Sequence, residues 1–69
     1  MAKAKAYTVN EFCALYRVSR SQLYKLWREG QGPKFMKLGK RRLISRFAAD
    51  QWRMREEERT ERERLDAAA

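Results

Sequence analysis

The run Val18-Ser19-Arg20-Ser21-Gln22-Leu23-Tyr24-Lys25-Leu26-Trp27-Arg28-Glu29-Gly30 holds a helix start, a two-sided helix body and a helix stop. Ser19 suits the N-cap, because its hydroxyl accepts from a first-turn amide that has no partner within the helix. Gln22, three residues on, fits the second half of a capping box. Gly30 supplies the stop, since glycine takes the left-handed conformation without a side-chain clash. An advance of about 100° per residue places Leu23, Leu26 and Trp27 on one stripe, and Ser21, Tyr24, Lys25 and Arg28 on the opposite side. One face packs, and the other presents positive charge and hydrogen-bond donors. A short helix of this kind fits the DNA major groove with its N-terminal residues at base edges. The same pattern also describes a surface helix whose charges are simply solvated, so the flanking segments decide.

Upstream, Thr8-Val9-Asn10-Glu11 repeats the capping-box logic and predicts a first helix over Val9–Tyr16. Val9, Phe12, Cys13, Leu15 and Tyr16 give it a broad apolar face, so its work is to support the second helix. Only Arg17-Val18 separates the two, which leaves room for a tight turn and nothing else. Helix, short turn and capped basic helix form the helix-turn-helix pattern. Arg17 stands where a left-handed residue would serve the turn, and a non-glycine residue there carries strain. Either the turn takes another geometry or Arg17 is kept as a phosphate contact.

Downstream, Gln31-Gly32-Pro33 breaks regular structure and leads into two short runs, Lys34 to Leu38 and Arg41 to Ile44, on either side of Gly39-Lys40. This reads as a β-hairpin with a type II′ turn, glycine accepting the positive φ of the first corner. An isolated hairpin is marginal in water, so Phe35, Met36, Leu38, Leu43 and Ile44 are expected to dock it on the helices. Lys40, Arg41 and Arg42 then sit at the protruding tip, as in a wing that touches phosphate or the minor groove. Alternatively, they only guard an exposed strand edge against unwanted pairing. Ser45 caps a third helix, from which Phe47, Ala49 and Trp52 are expected to return to the core.

The ends of the chain carry less. Residues 1–6 have neither cap nor apolar face and read as a mobile basic arm. Residues 54–69 have high helix propensity and opposite charges at helical spacing, with Met54 and Leu65 as the large apolar residues. They offer no heptad seam for a coiled coil and read as a charged tail, helical or disordered. The expected organisation is thus an arm over 1–6, a domain over 7–53 and a tail over 54–69. The fold class is mainly helical with a small β-hairpin: a winged helix-turn-helix in α-α-β-β-α order with a C-terminal charged helical extension.

With 69 residues the chain makes one small domain near the lower limit for an unstapled core. Its single cysteine, Cys13, has no histidine anywhere to join it, which excludes zinc fingers and leaves Cys13 as a small buried hydrophobe. No metal and no cofactor is expected. No apolar run is long enough to span a bilayer, and the N-terminal Ala/Lys alternation lacks the middle of a signal peptide, so the cytoplasm is the expected location. The net charge of +8 is unevenly placed: residues 1–52 carry 12 Lys/Arg against 3 acidic residues, whereas 53–69 carry 5 Arg against 6. The basic excess belongs to the folded part and argues for a polyanionic partner, double-stranded DNA first.

Taken in order, these features resemble the small excisionases and prophage regulatory proteins with a MerR-like winged helix-turn-helix. The resemblance rests on Thr8-Val9-Asn10-Glu11, on Val18 through Tyr24, on Arg28-Glu29-Gly30, on Pro33 through Arg41, and on Ile44-Ser45 leading to Trp52. It spans about residues 7–53. It implies that Ser19, Arg20, Ser21, Gln22, Tyr24, Lys25 and Arg28 face DNA from the recognition helix, and Lys40, Arg41 and Arg42 from the wing. It also implies a recombination directionality factor that binds repeated sites head to tail, bends the DNA and helps a tyrosine or serine integrase to excise a mobile element. Transcriptional regulators share the fold, and both outcomes stay open. Arg17 stands where the family often has glycine, and Cys13 where it often has alanine.

An enzyme is a poor fit, since acid–base and metal chemistry lack their parts and no small-molecule substrate is expected. The rival from another class is a protein-interaction module whose basic face docks an acidic partner. RNA binding lacks the exposed aromatic pair on a sheet that stacks unpaired bases.

Overall fold

A computed structural model describes residues 5–68. Three helices and a three-stranded antiparallel sheet follow in the order β1 (Ala6–Thr8), α1 (Val9–Tyr16), α2 (Arg20–Arg28), β2 (Met36–Leu38), β3 (Arg41–Ser45) and α3 (Arg46–Ala68). This is a winged helix-turn-helix.

Each helix starts where its cap predicts. The Thr8 hydroxyl accepts from the Glu11 amide at 3.1 Å, and the Glu11 carboxylate accepts from the Thr8 amide at 2.9 Å, so the capping box is complete. Ser19 accepts from the Gln22 amide at 3.0 Å, and Ser45 from the Ala48 amide at 3.0 Å. The Gln22 side chain does not close the second box, because only the Ser19 half of it forms. α2 ends on Gly30 at φ 72°, with Gln31 N–H donating to Leu26 C=O and Gly30 N–H to Trp27 C=O, the paired bonds of a Schellman motif. The α1–α2 turn does use the left-handed region: Arg17 sits at φ 56°, ψ 44°, and the amides of Arg17 and Val18 both donate to the Cys13 carbonyl.

The wing turns over Gly39-Lys40, with positive φ at Gly39 and not at Lys40, as a type II′ turn requires. The sheet order is β1-β3-β2, so the wing has a third strand that the sequence pattern did not announce. Ala6 pairs with Ser45, Tyr7 with Ile44 and Thr8 with Leu43, and the Arg46 amide donates to the Lys5 carbonyl. Ala6, the last residue of the expected arm over 1–6, therefore belongs to the sheet, Lys5 is held beside it by its carbonyl, and residues 1–4 lie outside those described. α3 runs through 53/54 without interruption, so the charged tail is a helical extension of the third helix, as expected.

Val9, Phe12, Cys13, Leu23, Ile44, Ala49 and Trp52 form the core. Phe12, Leu23 and Ile44 are fully buried, a contribution of roughly 1.5–3 kcal/mol each. Trp52 closes the packing from α3, edge-on to Phe12 and Tyr16 with ring centres 5.4 and 5.6 Å away. Burial pushes the Cys13 thiol above its ordinary pKa, against a smaller opposing pull from Arg20.

Several apolar residues expected in the core lie outside it. Phe47 is 70% exposed. It stands two positions before Ala49, about 200° around the helix from the face that Ala49 and Trp52 bury. Leu15 is exposed for the same reason, two positions past Cys13. Met36 and Leu38 are also exposed, because Met36 pairs with Leu43 on the sheet face opposite Ile44. Ile44 alone of the five hairpin hydrophobes is fully buried.

Candidate nucleic-acid interface

α2 presents Ser19, Arg20, Ser21, Gln22, Lys25 and Arg28 exposed, while Tyr24 is half-buried. Tyr24 lies on the boundary between the two helix faces because its ring packs edge-on against Trp27, 5.1 Å away one turn later. Ser21, Lys25 and Arg28 form the outermost stripe, and Arg28 stands about 12 Å along the axis from Arg20. Arg20 is oriented by two neighbours: its Nη1 donates to Asn10 Oδ1 at 2.5 Å, and its guanidinium lies 5.9 Å from the Tyr24 ring centre. A donor group fixed in this way meets its target with less ordering cost.

A cleft of about 310 Å³ joins the start of α2 to the wing tip. Thr8, Val9 and Asn10 from the start of α1 line it, with Arg20 and Tyr24 from α2 and Lys40, Arg41 and Arg42 from the wing. Four basic side chains and no acidic one face this space, which suits an anionic oxygen. Five of the expected DNA-facing residues thus meet in one cleft. Ser19, Ser21, Gln22, Lys25 and Arg28 stand outside it on the exposed side of α2.

Arg42 differs from its neighbours Lys40 and Arg41, which are exposed. Its guanidinium carbon lies 4.9 Å from the ring centres of Tyr24 and Trp27 and 4.7 Å from that of Phe35. Of the three rings, Trp27 is hydrogen-bonded to the link that follows α2, which Trp52 also holds. Trp27 Nε1 donates to the Pro33 carbonyl at 2.7 Å, and Trp52 Nε1 to the Gln31 carbonyl at 3.0 Å. Gly32 lies flat under Trp27, where a Cβ would come 2.8 Å from the indole nitrogen. The Gln31-Gly32-Pro33 link is thus clamped between two indoles.

Asn10 was not singled out from the sequence, although it orients Arg20. Its position on the exposed side of the first turn of α1 was legible, but not a partner ten residues away across a turn. Phe35 was assigned to docking in general and not to Arg42 in particular.

An exposed basic helix face beside a basic two-stranded wing defines a small winged helix-turn-helix DNA-binding domain. The sequence model of a helix-turn-helix domain family matches residues 6–57. With more than half of its length matched, the chain belongs to that helix-turn-helix family. Comparison with curated proteins and with solved structures gives no match. Among the described residues, no helix is long and apolar enough to cross a membrane.

Proposed function

We propose that the protein is a non-catalytic, site-specific DNA-binding excisionase. It binds repeated sites beside the attachment site of a mobile element, bends the duplex and promotes excision by a tyrosine or serine integrase. The observation that carries the DNA-binding part is the cleft in which Arg20 from α2 meets Lys40, Arg41 and Arg42 from the wing with no acidic residue in its lining, Arg20 being already held in place by Asn10. On this reading Arg20, Ser21, Gln22 and Lys25 meet base edges in the major groove. Ser19, Tyr24, Arg28, Lys40 and Arg41 meet the backbone, where the lysine and the two arginines release counterions. A module this small gains from neighbours bound on the same duplex, so copies assemble head to tail along the repeats.

The test is selection of bound duplexes from a random pool, then gel shifts on one, two and three copies of the recovered site. A defined motif with stepwise, cooperative shifts is expected, followed by stimulation of excision when the cognate integrase and attachment site are supplied. A motif that maps to promoters and leaves excision unchanged would make the protein a transcriptional regulator. Absence of any motif, with weak binding that salt abolishes, would leave an acidic protein as the partner.

A further inference from the structure

We infer that Arg42 is a positioning residue: held among the rings of Tyr24, Trp27 and Phe35, it sets the pose of the wing against α2 and so the reach of Lys40 and Arg41 towards a duplex. The pose itself is a property of the free protein. Its effect on binding rests on the DNA-binding reading above.

Successive strand residues point to opposite sides of a sheet, so Arg41 and Arg42 cannot do the same work. Arg41 is exposed and pairs across the ladder with Leu38, whereas Arg42 is half-buried on the side of Ile44, which faces the helices. Among the described residues no carboxylate forms an ion pair with Arg42, and its cross-strand partner is Lys37, of like charge. What holds the guanidinium is therefore aromatic. Three ring centres lie within 4.9 Å of it, inside the roughly 6 Å reach of a cation–π contact. The rings come from two parts of the chain, α2 and the segment entering β2, while Arg42 comes from β3. One side chain thus joins the recognition helix, the link and the wing.

The guanidinium edge stays on the cleft that Arg42 lines with Arg20, Lys40 and Arg41, while its flat faces stack among the three rings. Lysine keeps the charge but not the flat, weakly hydrated face that stacks among them. The two roles therefore part at Arg42→Lys. A phosphate contact alone leaves the wing of the free protein unchanged on that substitution, and a stacked wedge does not.

The test begins with the free protein. In the wild type, ring currents are expected to move the Arg42 side-chain protons upfield in the NMR spectrum. In Arg42→Lys, amide exchange over β2 and β3 should quicken about tenfold while α1 and α2 exchange as before. Phe35→Leu, which leaves every charge in place, should quicken the same amides in the same direction. In gel shifts on a duplex of arbitrary sequence at fixed salt, Arg42→Lys and Phe35→Leu should each weaken binding about fivefold. Unshifted Arg42 protons, or a lysine variant with wild-type wing exchange and wild-type binding, would overturn the inference. If the wild type binds no duplex at all, the proposed function fails instead, and the proton shifts and wing exchange still decide what holds the wing.

Discussion

Arg17 shows how one residue can work against the fold and for the surface. Its backbone occupies the left-handed region at φ 56°, where an L-residue with a side chain is disfavoured by roughly 1 kcal/mol relative to glycine. The turn needs this conformation, because the Arg17 and Val18 amides must both reach the Cys13 carbonyl to end α1. Arg17→Gly is expected to raise the unfolding free energy by about 0.5–1 kcal/mol, read as a higher urea midpoint at unchanged slope. An unchanged or lowered midpoint would mean that the arginine side chain itself stabilises the turn. Gly32 is the opposite case. There the missing side chain is required, since a Cβ would overlap the Trp27 indole.

At the scale of elements, the ends of helices are decided locally and the sheet is not. Thr8, Ser19, Ser45 and Gly30 announced their helix boundaries because a cap needs only residues three or four positions away. β1 was hidden for the converse reason. It is three residues long, Thr8 serves both as strand end and helix cap, and its partner strand lies across the whole helix-turn-helix. Phe47 was misplaced because hydrophobicity fixes the desire to be buried, and helix phase fixes the direction. In α3 that phase was set by Ala49 and Trp52. Within the candidate site the charged face of α2 was legible from period alone. The separate fates of Arg41 and Arg42 were not, because they depend on which side of β3 meets the rings. The far half of α3 is held by exposed ion pairs, Arg53–Glu57 at 2.6 Å, Arg59 with both Glu56 and Glu63 at 2.8 Å, and Arg64–Glu61. Such exposed pairs are screened by salt and add little to the stability of the fold. Removing residues 60–69 should therefore lower the helical circular dichroism signal while changing the unfolding free energy by less than about 1 kcal/mol. A loss above about 2 kcal/mol would show that the extension packs on the core.

The whole molecule, 46 × 29 × 17 Å in extent, divides its charge between a basic body and a nearly neutral helical projection. On the proposed function, sequence reading falls to α2 and general attraction to the wing, which makes them separable. Lys40→Ala and Arg41→Ala should weaken binding to all duplexes alike and lower the slope of log affinity against log salt by about 1 each. Arg20→Ala and Gln22→Ala should instead reduce discrimination between the selected site and a scrambled one by about tenfold or more. Wing variants that lose only one sequence, or helix variants that lose all sequences equally, would reverse the assignment. The core has one further property, which concerns time. Phe12 and Tyr16 stay uncovered until Trp52 has been made, and β1 waits for β3 before it can pair. At about 5–20 residues per second, Trp52 is added roughly 2–7 s after Tyr16. Through that interval α1 and α2, eight and nine residues long and marginal alone, have no finished interior to join, so the domain acquires its fold late.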